Sequence, residues 1–213
     1  MNAPADAFEV ARTFRAVFPL VGRSFAEIEL AYLGLTSKIE TPIRDRLAFS
    51  LHSELSPRGY TIGREWCRVD IAVLCGDAPM ALLEIKAMNT FDAHRQEYPR
   101  LLRDDYLKLR GLGFKGAQLL TLLLVTHPHG EPQAPLGVIK YASKIRGSLK
   151  KHGGPDKVEQ AAMSQIDCWR QAEILDKGRL PGGAAFGVSV SVHWRLFGPK
   201  VIQPDNAEVQ PTN

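Results

Sequence analysis

The stretch that decides the fold is Arg68–Ala87, RVDIAVLCGDAPMALLEIKA. Two aliphatic runs flank CGDAPM at 75–80, a Gly/Asp/Pro cluster of the kind that turns the chain. The spacing predicts strands over 68–74 and 81–88, and two strands joined so tightly must be antiparallel neighbours. Side chains alternate along a strand. Arg68, Asp70, Ala72 and Leu74 therefore share one face, and Leu82, Glu84, Lys86 and Met88 form the matching set. With the turn centred on Asp77, Asp70 lies opposite Glu84, and a slip of one residue would break the match. Cross-strand neighbours sit about 4.5–5.5 Å apart at Cβ. Two carboxylates that close repel unless a cation compensates. A divalent ion would do so, with Lys86 beside it, and Mg²⁺ takes oxygen ligands while keeping several waters. Charges inside an apolar strand such as LLEIKAM are rare without partners. The competing reading is a solvated stripe on a half-exposed hairpin, with Asp70 paired to Arg68 or Lys86.

Working outward, Tyr60–Trp66 reads as a strand preceding the hairpin. A helix is expected over 38–55, with Ile43, Leu47, Ala48, Leu51 and Leu55 inward and Pro42 near its first turn, where a missing N–H is tolerated. Earlier helices are expected over 5–18, ending before Pro19 or near Gly22, and over 24–33 with Ser24 as a cap. Beyond the hairpin, 98–111 reads as a helix closed by Gly111 and Gly113, and AQLLTLLLV at 117–125 as a strand covered on both faces. The helix between them is then a crossover. Helices are expected at 140–151 and 155–175. A half-buried strand is expected at 184–196, at a sheet edge.

The order predicts an α/β or α+β domain with a central mixed sheet flanked by helices. Its expected parts are an N-terminal helical extension (1–37), a main domain over 38–198 with its core at 38–126 and its C-terminal helices and edge strand at 139–198, and a frayed tail (199–213).

The 213 residues are 45% hydrophobic and 23% charged, ordinary values for a globular protein. No apolar span of about 18 residues is present, so no membrane partner is expected. The acidic start carrying Asp6 and Glu9 does not read as a secretory signal, and a cytoplasmic location is expected. Cys67, Cys75 and Cys168 form no disulfide framework or CxxC pair and are expected to be small packing residues. The net charge of +4 is mild. The stretch 140–157 carries Lys140, Lys144, Arg146, Lys150, Lys151 and Lys157 against Asp156 alone, either a solvated helix face or a phosphate-attracting patch. No GxSxG, GxxxxGK[ST] or GxGxxG string is present, which leaves serine-hydrolase, P-loop and Rossmann readings without support.

An acid on one strand followed by acid-x-Lys on the next resembles the PD-(D/E)xK nuclease superfamily, which includes restriction endonucleases. Asp70 matches the first acid and Glu84-Ile85-Lys86 the second element, while Val69 stands where the name's proline would be. Many members add a glutamate on the preceding helix. Glu40 is the best match, Glu54 the competitor, and Glu27 and Glu29 weaker ones. The resemblance implies a restriction-endonuclease-like fold over less than half of the chain. It also implies Mg²⁺-dependent hydrolysis of phosphodiesters in DNA, with Mn²⁺ as substitute and endonuclease action favoured over exonuclease. Asp70, Glu84, the Ile85 carbonyl and Glu40 would hold the metal. Lys86 would orient or help deprotonate the attacking water. Lys108 and Tyr106 on the following helix, and Arg68, are auxiliary or substrate candidates. RNA stays open as a partner, and a homodimer is admitted because cutting both strands of a duplex often uses two sites. The alternative is a non-catalytic nucleic-acid-binding or complex-forming protein on the same fold.

Three further readings remain. Glu65 is a candidate supporting acid for the site, and Asp104 and Asp105 read as surface acids. His127 and His129 form HPH after a strand, but no third metal ligand is spaced with them in the sequence.

Overall fold

The computed structural model describes residues 7–93, 97–135, 137–169 and 174–201. Helices α1 (Ala7–Val21), α2 (Glu29–Thr36) and α3 (Glu40–Leu55) precede strands β1 (Tyr60–Trp66), β2 (Val69–Cys75) and β3 (Ala78–Asn89). Then come α4 (Glu97–Gly111), β4 (Gln118–Pro128), α5 (Ala142–His152), α6 (Pro155–Asp167), β5 (Ile174–Ala185) and β6 (Val188–Val201). The six strands form one sheet in the order β1-β2-β3-β4-β6-β5. β3 and β4 run parallel, joined by α4, and every other pair is antiparallel. This is the expected central mixed sheet flanked by helices.

Alternation along β3 decides what lies on each face. Ala81, Leu83, Ile85 and Ala87 enter the larger core beneath α1 and α3, with Phe14, Phe18, Ile43 and Leu47. Leu82 and Met88 turn to the other face, where α4 and α6 supply Leu102, Leu109, Ala162 and Ile166. β4 is buried along its whole length, as a run flanked on both faces requires. α1 carries Phe18, fully buried, stacked 5.7 Å from Phe14 and edge-on to Trp194 at 5.0 Å.

Of the two ends expected for α1 the structure takes the later one: the helix passes through Pro19 to Val21, beside Gly22, because Phe18 and Val21 are wholly buried and their packing outweighs the hydrogen bond that proline forfeits. Elsewhere the structure departs from the sequence expectations. The second helix begins only at Glu29, and the Ser24 hydroxyl donates back to the Val21 carbonyl instead of capping it. α6 ends at Asp167, and β5 is a strand that the sequence reading missed. β5 takes the sheet edge, which leaves β6 an interior strand. β6 runs to Val201, into the first residues of the expected tail; 202–213 lie outside the described residues. Cys67, Cys75 and Cys168 are all exposed, not packed. Among the described residues, no helix is long and apolar enough to cross a membrane.

Candidate functional site: an acidic notch beside the third strand

The hairpin register depends on one extra residue. Cys75 pairs with Ala78 and Leu74 with Pro79 across Gly76–Asp77, and Gly76 supplies the positive φ (+58°) that the tight turn needs. Val73 pairs with Ala81, so Met80 is bulged out. The bulge shifts β3 by one, Ile71 pairs with Leu83, and continuing that register sets Asp70 across from Glu84. Without it, Glu84 and Lys86 would turn toward the apolar core under α1 and α3.

Past Leu83 the two strands part, and carboxylates take the backbone donors that β3 leaves on that edge. The Ile85 N–H donates to Asp70 Oδ2 at 2.8 Å, and the Ala87 N–H to Glu40 Oε2 at 3.2 Å. Within an extended residue N–H and C=O leave the strand on the same side, so the Ile85 carbonyl faces the same notch. Glu40 reaches it from the first turn of α3. Of the two helix glutamates, the structure brings Glu40 here and leaves Glu54 exposed near Arg58. Glu27 is exposed elsewhere, and Glu29 pairs with Arg46.

α4 closes the notch from the other side. Lys108 Nζ lies 2.6 Å from Glu84 Oε1 and donates to the Arg68 carbonyl at 2.5 Å. Lys86 Nζ lies 3.4 Å from Asp105 Oδ1. Asp105 is buried, not the surface acid that the sequence suggested, and its Oδ2 has no hydrogen-bond partner among the described residues. Asp104 is exposed. Arg44, one turn along α3 from Glu40, lies 2.6 Å from Glu65 and 3.8 Å from Asp70, so Glu65 meets Asp70 only through this guanidinium. Tyr106 packs with Trp66 and Phe114 and carries Lys200 over its ring at 4.5 Å. Arg68 sits in the β1–β2 turn, exposed, with left-handed backbone at both Cys67 and Arg68, so it is not on the strand face beside Asp70.

The electrostatics follow from crowding acids out of water. Burial pushes the Glu84 carboxyl up to about 7; Lys108 opposes the shift, and Asp70 adds to it. Burial also raises Glu40 and Asp105. Burial works against the Lys86 charge, but Asp105, Glu40 and Glu84 outweigh it and hold the ammonium above its usual value. Glu40, Asp70, Glu84 and Asp105 against Lys86 and Lys108 leave a net charge of −2 when all are ionised.

A second polar cluster lies at the carboxyl end of β4. His127 is fully buried, and one ligand atom from each of His127, His129 and Glu159 lies within 4.8 Å of the others. Among the described residues this is the group of His, Cys, Asp or Glu side chains gathered tightly enough to hold a metal ion, and it is a potential divalent-cation site on a mixed α/β sheet. The sequence reading of HPH lacked its third ligand because Glu159 comes from α6. Burial lowers His127 to about 4 and also lowers His193, which favours the neutral form of both imidazoles.

No family model, curated protein or solved structure matches this chain. What the two clusters can do follows from their own chemistry.

Proposed function

We propose that the chain is a Mg²⁺-dependent nuclease of the PD-(D/E)xK type acting on DNA, with its site in the notch beside β3. The observation that carries this reading is the capture of two successive outward N–H groups of β3 by Asp70 and Glu40, next to Glu84 and Lys86. These are the four side chains on which the sequence resemblance rests.

The donor set suits the metal. It is all oxygen and carries excess negative charge, both of which favour a hard cation such as Mg²⁺ or Mn²⁺. Asp70, Glu84, Glu40 and the Ile85 carbonyl would hold it, and when bound it polarises the scissile phosphate and acidifies a bound water. Lys108 and Lys86 now neutralise Glu84 and Asp105, so loading the site means releasing Glu84 from Lys108. Lys86 stays charged at neutral pH, which favours orienting the attacking water and offsetting charge on the phosphate over acting as the base. Arg44 steadies Asp70 from behind.

The same ion pairs favour a second reading, a non-catalytic nucleic-acid-binding protein whose lysines permanently satisfy the acids. A panel of duplex, branched and single-stranded DNA and RNA, incubated with and without Mg²⁺ or Mn²⁺, separates the two. The nuclease gives metal-dependent cleavage that Lys86→Ala abolishes while the fold is retained. Binding without cleavage in every lane gives the second reading.

A further inference from the structure

The cluster at the end of β4 is built differently from the notch. His127 lies near the end of β4 and His129 just beyond it, and the two rings meet on one side of the chain. The Thr90 hydroxyl lies 2.9 Å from His127 Nδ1, which leaves Nε2 as the free end of the ring. That Nε2 is wholly buried, has no hydrogen-bond partner among the described residues and lies 3.6 Å from Glu159 Oε2. The other oxygen of Glu159 is 2.7 Å from His193 Nε2. The His129 ring stands edge-on to His127 at 4.5 Å, and its Nε2 lies 2.8 Å from Arg179 and 3.0 Å from the Ser191 hydroxyl. A guanidinium can only donate, so His129 Nε2 carries a lone pair.

We propose that His127, His129 and Glu159 bind a transition-metal dication of the zinc class, with His193 orienting Glu159 and Arg179 as the group the metal displaces. Two imidazoles and one carboxylate select such an ion over Mg²⁺. The Thr90 hydroxyl on His127 Nδ1 and the close approach of His193 to Glu159 supply the outer contacts that fix ligand orientation in metal sites. His129 and Arg179 line an open cavity of about 570 Å³, shared with Ser189 and Ser191, which gives the ion an entry path. Bound there, the metal would clamp α6 to the end of β4. The proposal stands apart from the nuclease reading and shares no residue with it.

The test is Zn²⁺ titration of the chelator-stripped full chain against a chromophoric competitor. The wild-type protein should take up one equivalent. His129→Ala and Glu159→Gln, both at partly exposed positions, should each weaken binding at least about 10–100-fold. Arg179→Ala should tighten it, and Asp70→Asn should leave it unchanged. A folded wild-type protein that takes up no Zn²⁺ overturns the proposal. So does undiminished, wild-type affinity in both ligand variants, which would place the bound ion elsewhere and make the cluster a metal-free polar network.

Discussion

Replacing Glu84 with glutamine should stabilise the metal-free protein at alkaline pH. The carboxyl titrates at about 7 in the folded chain against an ordinary value of 4.5. Below 4.5 it is protonated in both states and imposes no penalty. As pH rises through 7 the folded state gives up its proton against burial, and stability falls to its full deficit above that. Two and a half decades of proton affinity at about 1.4 kcal/mol each amount to about 3 kcal/mol. Glutamine is neutral throughout and returns most of that, because Lys108 is exposed enough to turn to water. A net gain of about 1–3 kcal/mol at pH 8.5 would raise Tm by about 3–10 °C in a chain of this size. The assay is urea unfolding with chelator at pH 5 and pH 8.5. The difference in pH response between variant and wild type isolates Glu84 from other titrating groups. An identical pH response in the two proteins, or a less stable variant at pH 8.5, would refute the reasoning.

Other expectations concern packing and register. Phe18→Ala should cost about 3–5 kcal/mol by urea unfolding, since it removes a fully buried ring that contacts Phe14 and Trp194. Gly183→Ala should cost about 2–4 kcal/mol in the same assay, because its backbone is left-handed and the new Cβ would fall 1.8 Å from the Glu27 carbonyl oxygen. Deleting Met80 removes the bulge yet leaves Val73 opposite Ala81 and Asp70 opposite Glu84, so metal-dependent cleavage should survive where circular dichroism shows a retained sheet, and its loss would contradict this register.

The hairpin was legible because its chemistry is local. A short turn and two-residue alternation place Asp70 against Glu84 with little freedom, although the Met80 bulge that makes the register work has no sequence signal of its own. Asp105 could have been found: with Leu102 and Leu109 it keeps the three-and-four spacing of the buried face of α4, so an acid at that position had to sit inside. β5 was hidden because an edge strand needs little apolar patterning, and ILDKGRLPGGAA leaves all but Leu180 and Gly182 at least partly exposed. Glu159 was invisible for another reason. Only the tertiary packing of α6 against β4 brings it to His127, and no spacing in the chain encodes that.

The account turns on whether the notch takes up a hard cation. Electron paramagnetic resonance of Mn²⁺, in a His129→Ala background that disables the histidine cluster, measures this directly. The account predicts saturable Mn²⁺ binding that Mg²⁺ displaces and that Asp70→Asn and Glu84→Gln each remove. Free Mn²⁺ signal throughout, or binding indifferent to both substitutions, would contradict it.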